Sequence, residues 1–271
     1  MGQDYAKKFF EDRKHLIKEK TKLTEWSEIK LIDKNFIEIN LPQLMAGYIG
    51  YLKYQVKQIN GGEVYFRGEK DCFQTTVPSL YRGEEPKIES LTKAYEKLVK
   101  EIPKIIKAYR FKKKEIRPLL QHYGLKTNWL DLVDNLYGAL WFACHRNKGK
   151  SGYLKVFCSE NQNREKLTIQ DLRTAHSSLS LRVHCQHGIS VTKKVDWSTK
   201  NIDFNNFLIS KIKFSVNEYR MCGNIFDEDY MYPNKNIDNT LKLLKTKKVR
   251  DLISEIEEKY ELPKGALGSV S

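Results

Sequence analysis

Long apolar runs are missing from this sequence, and nothing in it approaches the roughly eighteen consecutive apolar residues that a membrane-spanning helix needs. The opening stretch, MGQDYAKKFFEDRKHLIKEK, is charged throughout and lacks the apolar centre of a secretory leader, so the expected location is cytoplasmic. MGQDYA comes near a myristoylation signal but has Ala6 where Ser or Thr is wanted. Cysteine is sparse: Cys72, Cys144, Cys158, Cys185 and Cys222 make an odd set with no CxxC pair, which argues for reduced thiols rather than a disulfide framework. The P-loop, GxGxxG and GxSxG patterns are absent, which sets aside the common nucleotide-binding and hydrolase folds. There is no internal repeat and no linker rich in Pro, Gly or Ser.

Positive charge is what the chain has in excess. Lys and Arg number 48 against 34 Asp and Glu, for a net charge of +14 and a pI near 9.4. Such a field attracts nucleic acid, phosphorylated cofactors and acidic partners alike. With 271 residues, 40% hydrophobic and 11% aromatic, the chain can bury a substantial core.

The spacing of apolar residues predicts helices over 5–20, from Leu44 to Val56, from Ile88 to Tyr109 with Pro103 bending or splitting it, over FKKKEIRPLLQHYG with Gly124 closing it, over DLVDNLYGALWFACHRN, and from Thr240 to Tyr260. Thr24 is placed to cap a helix with Glu25 and Glu28 in its first turn. IEINLPQL reads as a short strand or turn, NGG at 60–62 as a break, and EVYFRG, GYLKVFC, KLTIQD, HGISVTK and FNNFLISKIKF as strands. The last residues, PKGALGSVS, read as a loose terminus. The expected class is α+β: one compact domain with helices mainly in the first half and a mixed or antiparallel sheet in the second.

The polar residues of LLQHYGLKTNWLDL need an explanation that leucine packing does not give. Gln121, His122 and Tyr123 end one predicted helix, while Thr127 to Asp131 begin the next, where Asp131 either caps free amides or serves a site. His122 is either a satisfied core histidine or a ligand contact. Arg67, at the end of a predicted strand, either grips a phosphate or pairs with a carboxylate, and Gly68 after it lets a ligand approach the backbone. RVHCQHGIS gathers Arg182, His184, Cys185, Gln186 and His187, without the further ligands that zinc would require.

In order and spacing, YFRGE at 65–69, VPSLYRG at 77–83, LLQHYGLKTNWLDL with ALWFAC at 139–144, and RVHCQHGIS at 182–190 resemble the FRG domain family. The family pattern runs FRGQ, PSLFR, QHYGLPTRLLDWT, AL-aromatic-FA, and then an arginine with QxG. Phe66, Arg67, Gly68, Gln121, His122, Tyr123, Gly124, Thr127, Leu130, Asp131, Gln186 and Gly188 match it. Glu69, Lys126, Asn128, Leu132 and Val133 depart from it. The resemblance implies a helical extension over 1–59, an FRG-like α+β domain over 60–235, and a C-terminal helix and tail over 236–271.

The family occurs among bacterial toxin and phage-defence proteins, so the resemblance implies an effector of that kind. EVYFRG also resembles the first block of ADP-ribosyltransferases, which implies NAD as substrate and either ADP-ribosyl transfer or NAD hydrolysis. On that resemblance Arg67 holds the pyrophosphate, His122 meets a ribose hydroxyl, Tyr123 stacks on the ring, and Glu218 supplies the acid, with Asp227 and Glu228 as rivals. Gly68, Gln121, Thr127, Asp131 and Gln186 complete the expected cofactor contacts. A different class also fits the charge: a nucleic-acid or anion-binding module using FKKKEIR, the basic N-terminal helix and KTKKVR at 245–250.

Overall fold

The computed structural model describes residues 29–33, 36–82, 85–106, 115–161, 165–175, 180–193 and 203–270. The expected helix over 5–20, the Thr24 cap and the run Lys112, Lys113, Lys114 lie outside the described residues. The strands are β1 (Ile29–Asp33), β2 (Phe36–Ile39), β3 (Val64–Glu69), β4 (Leu130–Val133), β5 (Ser151–Cys158), β6 (Thr168–Asp171), β7 (Gly188–Thr192) and β8 (Leu208–Ser215). The helices are α1 (Pro42–Asn60), α2 (Glu85–Ile105), α3 (Ile116–His122), α4 (Leu136–Cys144), α5 (Leu172–Ala175), α6 (Leu181–Cys185), α7 (Glu228–Met231), α8 (Asn239–Leu244) and α9 (Lys247–Lys259). The expected α+β class is borne out, with the two longest helices in the first half of the chain. Among the described residues no helix is long and apolar enough to cross a membrane.

Contacts divide the chain into two compact units, each assembled from separated stretches. The first comprises the described residues of Met1–Thr75, Val133–Leu167 and Phe204–Asp227; the second comprises those of Thr76–Leu132, Thr168–Asp203 and Glu228–Ser271.

In the first unit the strands run in the order β1-β2-β8-β5-β3. Pairing is antiparallel except between β2 and β8, which makes the sheet mixed. Strand alternation sends Val64 and Phe66 of β3 and Leu154 and Val156 of β5 to one face, where they meet Leu44, Tyr48 and Leu52 of α1 and Ala139, Leu140 and Ala143 of α4. Pro42 in the first turn of α1 suits the fixed proline φ, and Gly61 closes the helix at φ 67°, its N–H bonded to the Lys57 carbonyl. NGG breaks the chain where expected.

The second unit is built mainly of helices. Tyr95, Leu98 and Ile102 of α2 lie in one core with Leu119 and Leu120 of α3, Leu241 and Leu244 of α8, and Val249, Ile253 and Ile256 of α9. Pro103 lies inside α2, which continues to Ile105. Beside these helices the strands follow the order β4-β7-β6.

Three expectations change. DLVDNLYGALWFACHRN is not one helix: Leu130–Val133 is a strand, and α4 begins only after Asn135, whose extended backbone and side-chain acceptor for the Tyr137 N–H make it the cap. Asp131 therefore lies on a strand rather than at a helix start. The tail helix splits into α8 and α9 around Lys245 and Thr246. The stretch after Pro263 is anchored: Leu267 is buried, its carbonyl accepts from Lys126 N at 2.8 Å, and the Glu257 carboxylate accepts from Gly265 N and Leu267 N at 3.0 and 2.9 Å.

Gly68 is explained by this packing. A Cβ there would stand 1.7 Å from the Ala139 carbonyl oxygen and 3.0 Å from Ala143 N, so β3 and α4 approach as closely as they do only because the side chain is absent. The room beside Gly68 on this face is taken by α4. Gly68→Ala should therefore lower stability by about 3 kcal/mol or more through forced backbone displacement. Gly50→Ala, in α1 with nothing within 4 Å of the new carbon, should raise stability by about 0.5–1 kcal/mol. Urea titration of the two variants checks both signs.

Candidate functional site

Strand alternation leaves Tyr65, Arg67 and Glu69 of β3 on the face of the first sheet opposite α1 and α4. The register sets Arg67 against Lys155 of β5, and Lys155 against Lys211 of β8, so three cations lie abreast on neighbouring strands. Directly opposed like charges destabilise a sheet. Compensation comes first from Glu69: its Oε1 accepts from Arg67 Nε at 2.9 Å, and its Oε2 lies 2.9 Å from Lys155 Nζ. Two backbone carbonyls of the following loop add to it, Lys155 donating to Thr75 O at 3.3 Å and Lys211 to Gln74 O at 3.4 Å. Asn205 Nδ2 donates to the same Gln74 oxygen at 2.6 Å and fixes that carbonyl.

Lys155 has a side chain 1% exposed, while that of Arg67 is 24% exposed. Burial lowers the Lys155 pKa, with Arg67 and Lys211 pushing the same way and Glu69 opposing them. The face continues through Lys213, which lies opposite both Tyr153 and Glu38. Phe36 meets Tyr153 edge-on with ring centroids 5.8 Å apart, and Lys211 Nζ lies 5.7 Å from the Phe36 centroid. This arrangement can hold an anion rich in oxygen acceptors.

Glu218 stands apart from it, exposed in the turn after β8. Ser215, the last residue of β8, is four positions beyond Lys211, and Lys211 is two strands from Arg67. At ~3.3 Å per residue and ~4.8 Å per strand, the end of β8 is about 16 Å from Arg67. Arg67 and Glu218 are in one unit but are not brought together.

The second unit holds the other predicted residues. Gln121 Oε1 accepts from Thr127 Oγ1 at 2.7 Å and from Ser79 Oγ at 3.1 Å. Ser79 Oγ in turn accepts from Thr127 N at 3.2 Å, so Gln121 and Thr127 stitch two motif segments together. His122 is buried against β7, where a Cβ on Gly188 would come within 2.8 Å of its ring. Gln186 Nε2 donates to the Met231 carbonyl at 2.8 Å, which turns its Oε1 toward His122 Nδ1 at 3.2 Å. Because that oxygen can only accept, Nδ1 carries a proton and donates to it. His122 Nε2 then lies 3.1 Å from Asp131 Oδ1, without the alignment of a hydrogen bond, while Asp131 accepts from Ser190 Oγ at 3.1 Å.

Tyr123 is fully buried, and its hydroxyl donates to the Asp238 carboxylate, 2.8 and 3.0 Å from the two oxygens. Burial and the Asp238 charge raise its pKa far above the ordinary tyrosine value. Asp238 also accepts from Arg182 N at 3.0 Å and caps α8 through Leu241 N at 2.9 Å. The Arg182 guanidinium lies 5.0 Å from the Tyr123 ring centroid and 5.3 Å from that of Tyr232, and it donates to the His122 carbonyl at 3.0 Å. The ring of Tyr123 is thus enclosed by its own unit.

Sequence reasoning passed over Lys155, Lys211 and Asp238. The available signal for the lysines was a cation at an alternating position within an otherwise apolar strand, in GYLKVFC and in LISKIKF. Among the described residues no group of three or more His, Cys, Asp or Glu side chains is arranged to hold a metal ion.

Residues 62–152 match the FRG domain. The matched stretch contains Arg67, Glu69, Gln121, His122, Tyr123, Thr127 and Asp131, and it ends before Lys155, Arg182, Gln186 and Gly188. No curated protein and no solved structure matches the chain.

Tyr123→Phe should lower unfolding free energy by about 1.5–3 kcal/mol, because it withdraws a donor from a fully buried carboxylate. Equilibrium urea titration measures it; an unchanged midpoint would show that Asp238 does not depend on the hydroxyl.

Proposed function

We propose that the protein binds NAD through Arg67 and consumes it, by ADP-ribosyl transfer or hydrolysis, as an effector of the toxin or defence kind. The observation that supports this reading is the placement of Arg67, partly exposed on the polar face of a rigid sheet with its guanidinium oriented by Glu69. An oriented guanidinium suits a phosphate, which offers paired oxygen acceptors in one plane.

Departure of nicotinamide leaves an oxocarbenium-like ribose, and a carboxylate beside it would stabilise the charge that develops. Glu69 is a carboxylate that touches Arg67, whereas Glu218 lies at the far end of β8. In this reading Glu69 replaces Glu218 as the candidate for that role. His122, Gln121, Thr127, Asp131 and Gln186 have contacts within their own unit that account for their polarity, so the proposal does not rest on them.

Incubation of the purified protein with NAD should release nicotinamide, and Arg67→Ala should remove the release while shifting the melting temperature little. Loss of the charge-assisted contact weakens binding by about 1.5–3 kcal/mol. A variant that melts early and binds NAD normally once folded would make Arg67 structural. Glu69→Gln should slow release far more than Glu218→Gln; the reverse order would restore Glu218 to the reaction.

The charge pattern of α9 favours nucleic acid as a second reading. Lys247, Lys248 and Arg250 are exposed at its N-terminal end, an order that opposes the helix dipole and costs about 0.3–1 kcal/mol per charge, while Glu258 and Lys259 offset one another in its last turn. Replacing Lys247 and Lys248 by Glu should therefore raise the melting temperature and weaken binding to a single-stranded oligonucleotide. It should also make the salt dependence of that binding shallower. Stabilisation without any change in oligonucleotide binding would remove this reading.

A further inference from the structure

We infer that residues 5–20 of this chain dock on an apolar patch of the first unit formed by Tyr137, Met221 and Ile225. The segment lies outside the described residues. What points to it is the patch, the place where the chain enters the sheet, and the segment's own sequence.

The patch arises from the way the chain after β8 crosses α4. Arg220–Asn224 forms a 3-10 turn, and a Cβ on Gly223 would come within 3.1 Å of Cys144 Cβ and 3.5 Å of His145 N, which sets the turn against the C-terminal end of α4. The Phe226 carbonyl accepts from Trp141 Nε1 at 2.9 Å, so the crossing has by then moved back toward Tyr137, which precedes Trp141 by one helical turn on the same face. Cys222 and Gly223 are buried by this packing, and their neighbours face outward. Met221 is 82% exposed, Tyr137 51% and Ile225 47%. One such side chain is ordinary on a protein surface, but three along a single crossing mark a surface for an apolar partner.

The first strand brings the start of the chain to the same place. Ile29, where β1 begins, pairs with Ile39 of β2, and the Ile39 carbonyl accepts from the Tyr219 hydroxyl at 3.1 Å. Tyr219 immediately precedes the 3-10 turn, and Asn40 Oδ1 accepts from Ser215 N at 2.8 Å at that end of the sheet. The chain therefore enters β1 beside the turn that carries Met221. Residues 21–28, extended, span up to about 26 Å, ample to carry residue 20 to the patch. A tethered segment meets its site at an effective concentration on the order of mM, so contacts too few to hold a free partner suffice to hold it.

The sequence of the segment suits an apolar surface. At helical spacing Tyr5, Phe9 and Leu16 fall together, Phe10 and Ile17 lie beside them, and Lys7, Glu11 and Lys18 fall on the other side. Charge does not select the occupant, because exposed Glu218 and Asp227 stand near the turn together with exposed Arg220 and Arg146. A nucleic acid or an anionic membrane would ask for a rim of one sign.

Photo-crosslinking in the full chain tests the docking, with Phe9→p-benzoylphenylalanine as the probe and mass spectrometry to map its adducts. The expected adducts lie within one chain, on Tyr137 or on residues 220–226. Met221→Asp, at a side chain too exposed to hold the fold, should lower their yield roughly fivefold or more. Tyr54→Asp, three turns into α1 and 61% exposed, should leave the yield unchanged. Adducts between two chains would assign the patch to a second copy and overturn the inference. So would adducts that map elsewhere, no adduct at all, or a yield that Met221→Asp lowers no more than Tyr54→Asp does.

Discussion

Lys155 lies on β5, between β8 and β3 in the first unit's sheet, with its side chain almost wholly enclosed, and the desolvation of its ammonium group is the constraint that its surroundings answer. Glu69 supplies the counter-charge, and the same carboxylate orients Arg67. Loop carbonyls supply further acceptors, and Asn205 holds one of them in place. The opposite face of the same strands must then be largely apolar, because a sheet with one polar face keeps its register mainly through the other. That is where α1 and α4 pack, so closely that β3 carries glycine at position 68. A single buried cation thus connects the polar face, the glycine and the helix above it.

A buried anion has the corresponding role in the second unit. Asp238 is enclosed and accepts from the Tyr123 hydroxyl and two backbone amides, and its charge acts through space on the Arg182 guanidinium. Withdrawing one partner from such a group costs far more than the pair contributes to stability, because the remaining charge stays buried. The polar residues that stand out in QHYGLKTNWLD are mostly answered in this way, by partners brought in from distant parts of the chain.

That distance explains what the sequence disclosed and what it hid. Apolar periodicity marked α1 and α2, and β-branched and aromatic alternation marked β3, β5 and β8, because both signals are local. The start of α4 was misplaced because Leu130–Val133 continues the same apolar texture as the helix, and only the cap at Asn135 separates them. Tyr123 is answered by a residue 115 positions away and His122 by one 64 positions away, and no local pattern announces such partners. Lys155 was hidden for another reason: an alternating strand with lysine on one face reads as half-exposed, and its burial becomes visible only when Arg67 and Lys211 are set beside it.

The most direct test of the role given to Arg67 is a crystal structure of the protein grown with NAD. The account predicts phosphate oxygens about 2.7–2.9 Å from the Arg67 guanidinium, with Glu69 still paired to it. A structure in which NAD lies away from Arg67 would contradict it.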